Sequence, residues 1–271
     1  MKPNGVKALW KADTPAVNGW LSIGNSFSAE IMAAQGYDSV TVDIQHGAVD
    51  YQSAVTMFQA MRASGVTPMA RVPWLDAGII MKMLDAGAYG IICPMINSRA
   101  EAEKLVSYVR YAPLGTRSFG PTRANFSAGA NYAAEANDQI LCFAMVETAE
   151  AMENLNDIVS TPGLDAVYVG PADLTLSLAG GRLTPAFDRE EPEMIEAINK
   201  IVQAARAAGI RAGLHTGSPD YAARAIGWGF NLVTVSNDVR LLAGAAGASV
   251  ARLQELLRGG QSTDAPESGG Y

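Results

Sequence analysis

Short runs of apolar, largely β-branched residues recur along the chain. Between them lie longer stretches in which apolar positions return every three or four residues. The runs at residues 17–23, 39–43, 68–72, 90–93, 140–146, 166–169, 211–214 and 232–235 predict eight strands. Ala54, Val55, Phe58, Met61 and Arg62 share one face of a predicted helix. Met194, Ile195, Ile198, Ile201 and Val202 form a cleaner stripe, and residues 102–110 give a third helix. Gly65, Gly87 and Gly209 stand where these helices should stop before the next strand. Eight strands alternating with helices in 271 residues predict an α/β fold, the closed (β/α)8 TIM barrel, over an open sheet. An open nucleotide-binding sheet is the weaker reading, because Ile23-Gly24-Asn25-Ser26 lacks the remaining glycines of a dinucleotide-binding turn.

Two segments break the alternation. Residues 111–139 hold Pro113, Gly115, Gly120, Pro121 and Gly129 and read as a long loop of the kind that serves function. Residues 259–271 have linker composition and read as a disordered tail, leaving residues 1–258 as a single barrel domain.

Composition narrows the function classes. A chain 49% hydrophobic and 17% charged can bury a sizeable core. Its net charge of −7 speaks against the basic face that nucleic acid or an anionic membrane would need. Cys93 and Cys142 lie in apolar runs and read as reduced core thiols. Met1-Lys2-Pro3-Asn4-Gly5 has no signal-peptide pattern, and no apolar run approaches a membrane span. The expectation is a cytoplasmic protein with neither nucleic acid nor membrane as partner.

A parallel barrel gathers chemistry at the C-terminal ends of its strands. Here those ends deliver Asp43 and His46, Arg71, Glu147, Asp173, His215, and Asn237 with Asp238. Glu147 and Asp173, 26 residues apart at the ends of consecutive strands, fall on adjacent staves, where two carboxylates can share one cation. Two oxygen donors with the other positions open suit Mg²⁺ or Mn²⁺ better than zinc. The alternative is that both are helix caps, Glu147 for a helix over residues 149–155. His46, if oriented by Asp43, has the chemistry of a general base. Arg71 can hold a carboxylate or an enolate, or sit in a surface ion pair. Gly170-Pro171-Ala172-Asp173 opens a helix whose free N–H groups can bind a carboxylate. His215 has no neighbour in sequence to act with and reads as a polar residue of the barrel mouth.

These residues, in their order, resemble the class II, metal-dependent pyruvate aldolases of the HpcH/HpaI family, over roughly residues 20–257. The resemblance rests on Val42-Asp43-Ile44-Gln45-His46-Gly47, Ala70-Arg71-Val72-Pro73-Trp74 and Leu84-Asp85-Ala86-Gly87-Ala88. It continues through Arg117-Ser118-Phe119-Gly120, Val146-Glu147-Thr148 and Val169-Gly170-Pro171-Ala172-Asp173-Leu174. It implies reversible aldol cleavage of 4-hydroxy-2-oxo acids to pyruvate or hydroxypyruvate plus an aldehyde, through a metal-stabilised enolate. It further implies Glu147 and Asp173 as ligands of Mg²⁺, Mn²⁺ or Co²⁺, and His46 with Asp43 as the base. Arg71 would stabilise the enolate, with Trp20, Pro171, Ala172 and Asp173 contacting substrate and Asp85 reaching a neighbouring subunit's site. The implied assembly is a hexamer, a dimer of trimers, with the last helix exchanged between neighbours.

The chain departs from the family pattern in carrying Gln45 before His46, where glutamate is common, and Met145 where many members have glutamine. A methionine donates no hydrogen bond, so the choice of donor oxo acid is open to change. Lys82 and Lys104 fall in helical segments, so no strand-end lysine offers a Schiff base. Two rivals use the same residues: an oxaloacetate decarboxylase or acyl-CoA lyase of the same superfamily, and a non-catalytic barrel that binds an oxo acid.

Overall fold

A computed structural model describes residues 1–260 of the chain. Its eight strands are β1 (Ala16–Leu21), β2 (Ser39–Asp43), β3 (Thr67–Arg71), β4 (Gly90–Cys93), β5 (Leu141–Val146), β6 (Ala166–Val169), β7 (Arg211–Thr216) and β8 (Leu232–Val235). Each pairs in parallel with the next. β8 returns to β1 through Ala16↔Leu232, Val17↔Val233 and Asn18↔Thr234, closing the barrel. The predicted (β/α)8 fold is the one found.

Every residue of β2, β4, β5 and β6 is buried, and β4, β5 and β6 accordingly read as apolar runs, whereas β2 alternates buried Ser39, Thr41 and Asp43 with Val40 and Val42. The helix Pro192–Ala207 buries Met194, Ile198, Ile201 and Val202 of its predicted stripe and leaves Ile195 partly exposed. At its end Gly209 has φ +75°, and Gly87, after Ala77–Ala86, has φ +113°. Both are left-handed turns that release the chain into the next strand.

A second apolar cluster fills the barrel itself, with Trp20, Met69, Phe143, Met145 and Tyr168 among its members. The N-terminal helix Gly5–Lys11 inserts Val6 and Trp10 into that cluster, and Trp10 meets Phe143 edge-on at 5.9 Å. The barrel floor is therefore packed, and polar groups collect at the other end.

Several boundaries differ from the sequence expectation. β1 stops at Leu21, and Ile23 makes only an isolated bridge to Ala48. β7 runs on to Thr216, so His215 is a strand residue. Residues 111–139 are not one long loop: they contain the helices Thr122–Ala128 and Tyr132–Gln139. Ala124, Ala128, Tyr132 and Ala136 are buried at four-residue spacing, a helical signal that the surrounding glycines and prolines obscured. The last helix, Asp238–Gly260, continues past the expected domain end at residue 258. The rest of the expected tail, residues 261–271, lies outside the described residues. Among the described residues no helix is long and apolar enough to cross a membrane.

Candidate active site

The C-terminal strand ends enclose a cavity of about 370 Å³ lined by Trp20, Asp43, His46, Arg71, Glu147, Ala172 and Asp173. Seven residues singled out from the sequence thus share one space. Asp85 is not among them. It lies on the helix Ala77–Ala86 and pairs with the buried Arg117 at 2.6 Å. Pro171 is buried in the first turn of its helix and does not line the cavity.

Arg71 ends β3 beside Asp43, the last residue of β2, because the two are register partners. Its Nε and Nη2 donate to Asp43 Oδ1 and Oδ2 at 2.9 and 2.6 Å, a bidentate pair. Trp20 Nε1 donates to Asp43 Oδ2 at 3.2 Å, and the guanidinium lies 4.8 Å over the indole ring. Burial alone would raise the Asp43 carboxyl, but the Arg71 contacts outweigh it and hold it below the ordinary aspartate value.

The expected pairing of Asp43 with the His46 ring is not the one formed. Asp43 Oδ1 instead accepts the backbone N–H groups of Gln45 and His46, at 3.1 and 3.3 Å. The carboxylate shapes the turn that presents His46, while its charge is spent on Arg71. The His46 side chain stands exposed at the cavity rim.

Glu147 follows β5 and is buried. Its Oε1 accepts the backbone N–H of Met95 at 2.8 Å, and Met95 takes a left-handed φ of +56°. A non-glycine residue in that region signals local strain, the kind seen at functional sites. Its Oε2 lies 2.3 Å from where a Cβ on residue 170 would sit, so only glycine fits there. Glu147 does not cap the next helix; Thr148 does, accepting from Ala151 N. Asp173 is not an N-cap either, since it sits in the first turn of Pro171–Ala179, after Gly170.

Burial, reinforced by the neighbouring charge of Asp173 and opposed by Met95 N–H and Arg71, pushes the Glu147 carboxyl up to about 7. A buried carboxylate whose pKa is raised beside a second carboxylate is the setting a divalent cation relieves. With Oε1 engaged by Met95, Oε2 and the Asp173 carboxylate are the available donors. Among the described residues no cluster of three or more His, Cys, Asp or Glu could hold a metal. A cation here would need oxygen atoms from substrate or water to complete its shell, which suits a hard ion and a chelating oxo acid.

The sequence reading missed part of this site. Tyr168, Phe187 and Arg240 also line the cavity, beside Asn237, which the strand-end pattern had placed there. Tyr168 lies mid-strand in β6, where alternation points it into the barrel; Phe187 and Arg240 come from segments with no strand-end signal. His215, set aside earlier, is buried at the cavity wall, and burial together with the charge of Arg71 drives its pKa down to about 3. Among the described residues no lysine lines the cavity, and Lys82 and Lys104 sit on outer helices as expected.

Comparisons with known proteins show the family and the fold. The family model described as HpcH/HpaI aldolase/citrate lyase matches residues 18–245. A hydroxypyruvate/pyruvate aldolase from Rhizorhabdus wittichii is 40% identical over 253 residues, 93% of this chain and 100% of that protein. A 4-hydroxy-2-oxo-heptane-1,7-dioate aldolase from Shigella flexneri is 34% identical over 252 residues, covering 92% of each. The crystal structure of an HpcH/HpaI aldolase/citrate lyase family protein from Burkholderia cenocepacia superposes with a TM-score of 0.85 at 30% identity. That match covers 93% of this chain and 99% of the other.

Proposed function

The chain belongs to the HpcH/HpaI aldolase/citrate lyase family, and on that premise we propose that it is a divalent-metal-dependent carbon–carbon lyase. It cleaves 4-hydroxy-2-oxo acids reversibly to pyruvate, or hydroxypyruvate, and an aldehyde. The observation that carries this reading is the convergence of Glu147, Asp173, Arg71 and His46 on one cavity.

Glu147 Oε2 and the Asp173 carboxylate would hold the divalent cation, which would supply Lewis-acid polarisation of the oxo acid's oxygens. Mg²⁺ and Mn²⁺ match the all-oxygen donors best, with Co²⁺ the next choice. The N–H groups of Ala172 and Asp173, in the first turn of a helix, bind the substrate carboxylate. Arg71 meets the negative charge that grows on the 2-oxo oxygen as the C3–C4 bond breaks. Its Nε and Nη2 are committed to Asp43, so Nη1 is the group left for substrate. His46 takes the proton from the 4-hydroxyl as that oxygen becomes the aldehyde carbonyl, and the bonding pair passes to C3. Protonation at C3 completes pyruvate.

Small oxo acids and aldehydes are then the partners, and we assign the protein to the cytoplasm, where its buried free thiols Cys93 and Cys142 would stay reduced. A homo-hexamer, a dimer of trimers that exchanges the last helix, accounts for the exposed apolar residues Leu242, Val250, Leu253, Leu256 and Leu257 of Asp238–Gly260. In that assembly Asp85 would approach a neighbour's cavity.

The test is to strip the protein of metal and follow aldehyde-dependent consumption of pyruvate and hydroxypyruvate, with no metal and with Mg²⁺, Mn²⁺ or Co²⁺. Turnover that appears only with metal, and that survives borohydride treatment with substrate, is the expected result. Full activity after exhaustive chelation would overturn the reading.

A further inference from the structure

One buried polar atom in the cavity wall has no partner. His215 is 6% exposed, and its Nε2 makes no hydrogen bond within the protein. Leaving such an atom unpaired costs about 1–3 kcal/mol, and native structures rarely carry the cost without a reason. The ring is held on several sides. Phe187 lies against it at 4.5 Å between centroids, Trp20 meets it at 4.8 Å and 81°, and Tyr168 Oη is 3.2 Å from Nδ1.

A chain of buried polar groups sets which ring nitrogen carries the proton. Ser39 and Thr41 hydroxyls donate to Asn18 Oδ1 at 2.9 and 3.0 Å, which turns Asn18 Nδ2 toward Thr234 Oγ1 at 2.8 Å. Among the described residues Tyr168 Oη, at 2.6 Å, is the one acceptor within reach of the Thr234 hydroxyl proton, so the arrangement that leaves no hydroxyl proton unused has Thr234 donate to Tyr168. Tyr168 O–H is thereby directed to His215 Nδ1, leaving the proton of the neutral ring on Nε2. Burial keeps the imidazole uncharged, which agrees with this arrangement. Nε2 is thus a donor of fixed direction, flanked by the Trp20 and Phe187 rings, in a cavity where Met145, whose thioether donates nothing, also forms part of the lining.

We propose that His215 Nε2–H is a substrate-binding donor that donates a hydrogen bond to a hydroxyl oxygen of the bound substrate, so that hydroxyl-bearing substrates are preferred. Tyr168 is its positioning residue. This deepens the aldolase reading and rests on it. The hydroxyl has two sources: C3 of hydroxypyruvate as donor, or a hydroxyaldehyde as acceptor.

The experiment compares kcat/KM for three pairs: pyruvate with acetaldehyde, hydroxypyruvate with acetaldehyde, and pyruvate with glycolaldehyde. It uses the Mg²⁺-loaded wild type, His215→Leu, His215→Gln and Tyr168→Phe. In His215→Leu, one hydroxylated pair should lose at least about tenfold relative to the pair without a hydroxyl. The pair that falls identifies the source. His215→Gln should recover part of the ratio, and Tyr168→Phe should lose part of it. Equal losses on all three pairs would mean that the ring only packs against Trp20 and Phe187, and would overturn the proposal.

Because the chain has two histidines, ¹⁵N imidazole spectra read the tautomer directly. An Nε2–H form whose resonance moves on adding hydroxypyruvate or glycolaldehyde supports the proposal. An Nδ1–H form, or a resonance unmoved by both, overturns it. A wild type that turns over none of the pairs overturns the aldolase reading instead, and the spectra still decide the role of His215.

Discussion

Asp43 holds Arg71 by two parallel hydrogen bonds, Oδ1 to Nε at 2.9 Å and Oδ2 to Nη2 at 2.6 Å, and reaches the His46 turn only through backbone N–H groups. The carboxylate is thus the anchor of the guanidinium that, in the proposed mechanism, meets the enolate. Asp43→Asn keeps the shape but drops the charge, and should lower kcat by about 10²–10³-fold. Arg71→Lys should fare no better, because an ammonium cannot span both oxygens. Steady-state kinetics check both; a Lys variant within threefold of wild type would refute the bidentate role.

Gly170 packs directly against Glu147 at the proposed metal site. A Cβ there would come 2.3 Å from Glu147 Oε2, and the opposite carboxylate oxygen is already taken by Met95 N–H. Gly170→Ala should therefore push the carboxylate aside and weaken metal binding by at least about tenfold, measured by calorimetry, with little change in far-UV circular dichroism. Unaltered affinity would mean that Oε2 is not a ligand.

Glu147 should destabilise the metal-free protein. Its pKa is raised from the ordinary glutamate value to about 7, so between about 4.5 and 7 the native state holds a proton that the unfolded chain has released. Stability falls as pH rises through that window, and the deficit is complete above it. Glu147→Gln should raise the melting temperature of metal-stripped protein at pH 8, by a free energy on the order of 1–3 kcal/mol, while abolishing metal binding. No rise at pH 8 would count against a buried, uncompensated carboxylate.

His215 works in the opposite direction. Its pKa falls from about 6.5 to about 3, so in that interval the unfolded chain holds the extra proton and stability declines as the solution is acidified. Removing the ring with His215→Phe should make stability between pH 3 and 6.5 less pH-dependent by about one proton, read from denaturant titrations at several pH values. An unchanged slope would place the ring in contact with water.

His46 separates aldol chemistry from decarboxylation. His46 is exposed and lines the cavity, and the proposed mechanism has its ring take the hydroxyl proton. His46→Ala should cut aldol cleavage by about 10²–10⁴-fold. Oxaloacetate decarboxylation, which has no 4-hydroxyl proton to remove, should change far less. A variant that keeps full aldolase activity would remove His46 from the mechanism.

Most of the barrel was legible along the chain. Apolar runs such as 90–93 and 166–169 are dictated by burial on both faces, and their bounds are those of β4 and β6. The polar residues placed after each run, among them Asp43, Arg71, Glu147 and Asp173, follow from strand ends and reach one cavity because a parallel barrel sends all such ends the same way. Family membership rests on the same local motifs. What each side chain does with its neighbours lies beyond that pattern. Asp43 pairs with Arg71 because the two are register partners on β2 and β3, while His46, three residues on, meets Asp43 only through its backbone N–H. Glu147 meets Met95 from β4's far end, and His215 is sealed by Phe187 and Trp20 from elements far away in sequence. Desolvation and hydrogen-bond direction depend on distances across the closed barrel, and those exist only once the eighth strand has met the first.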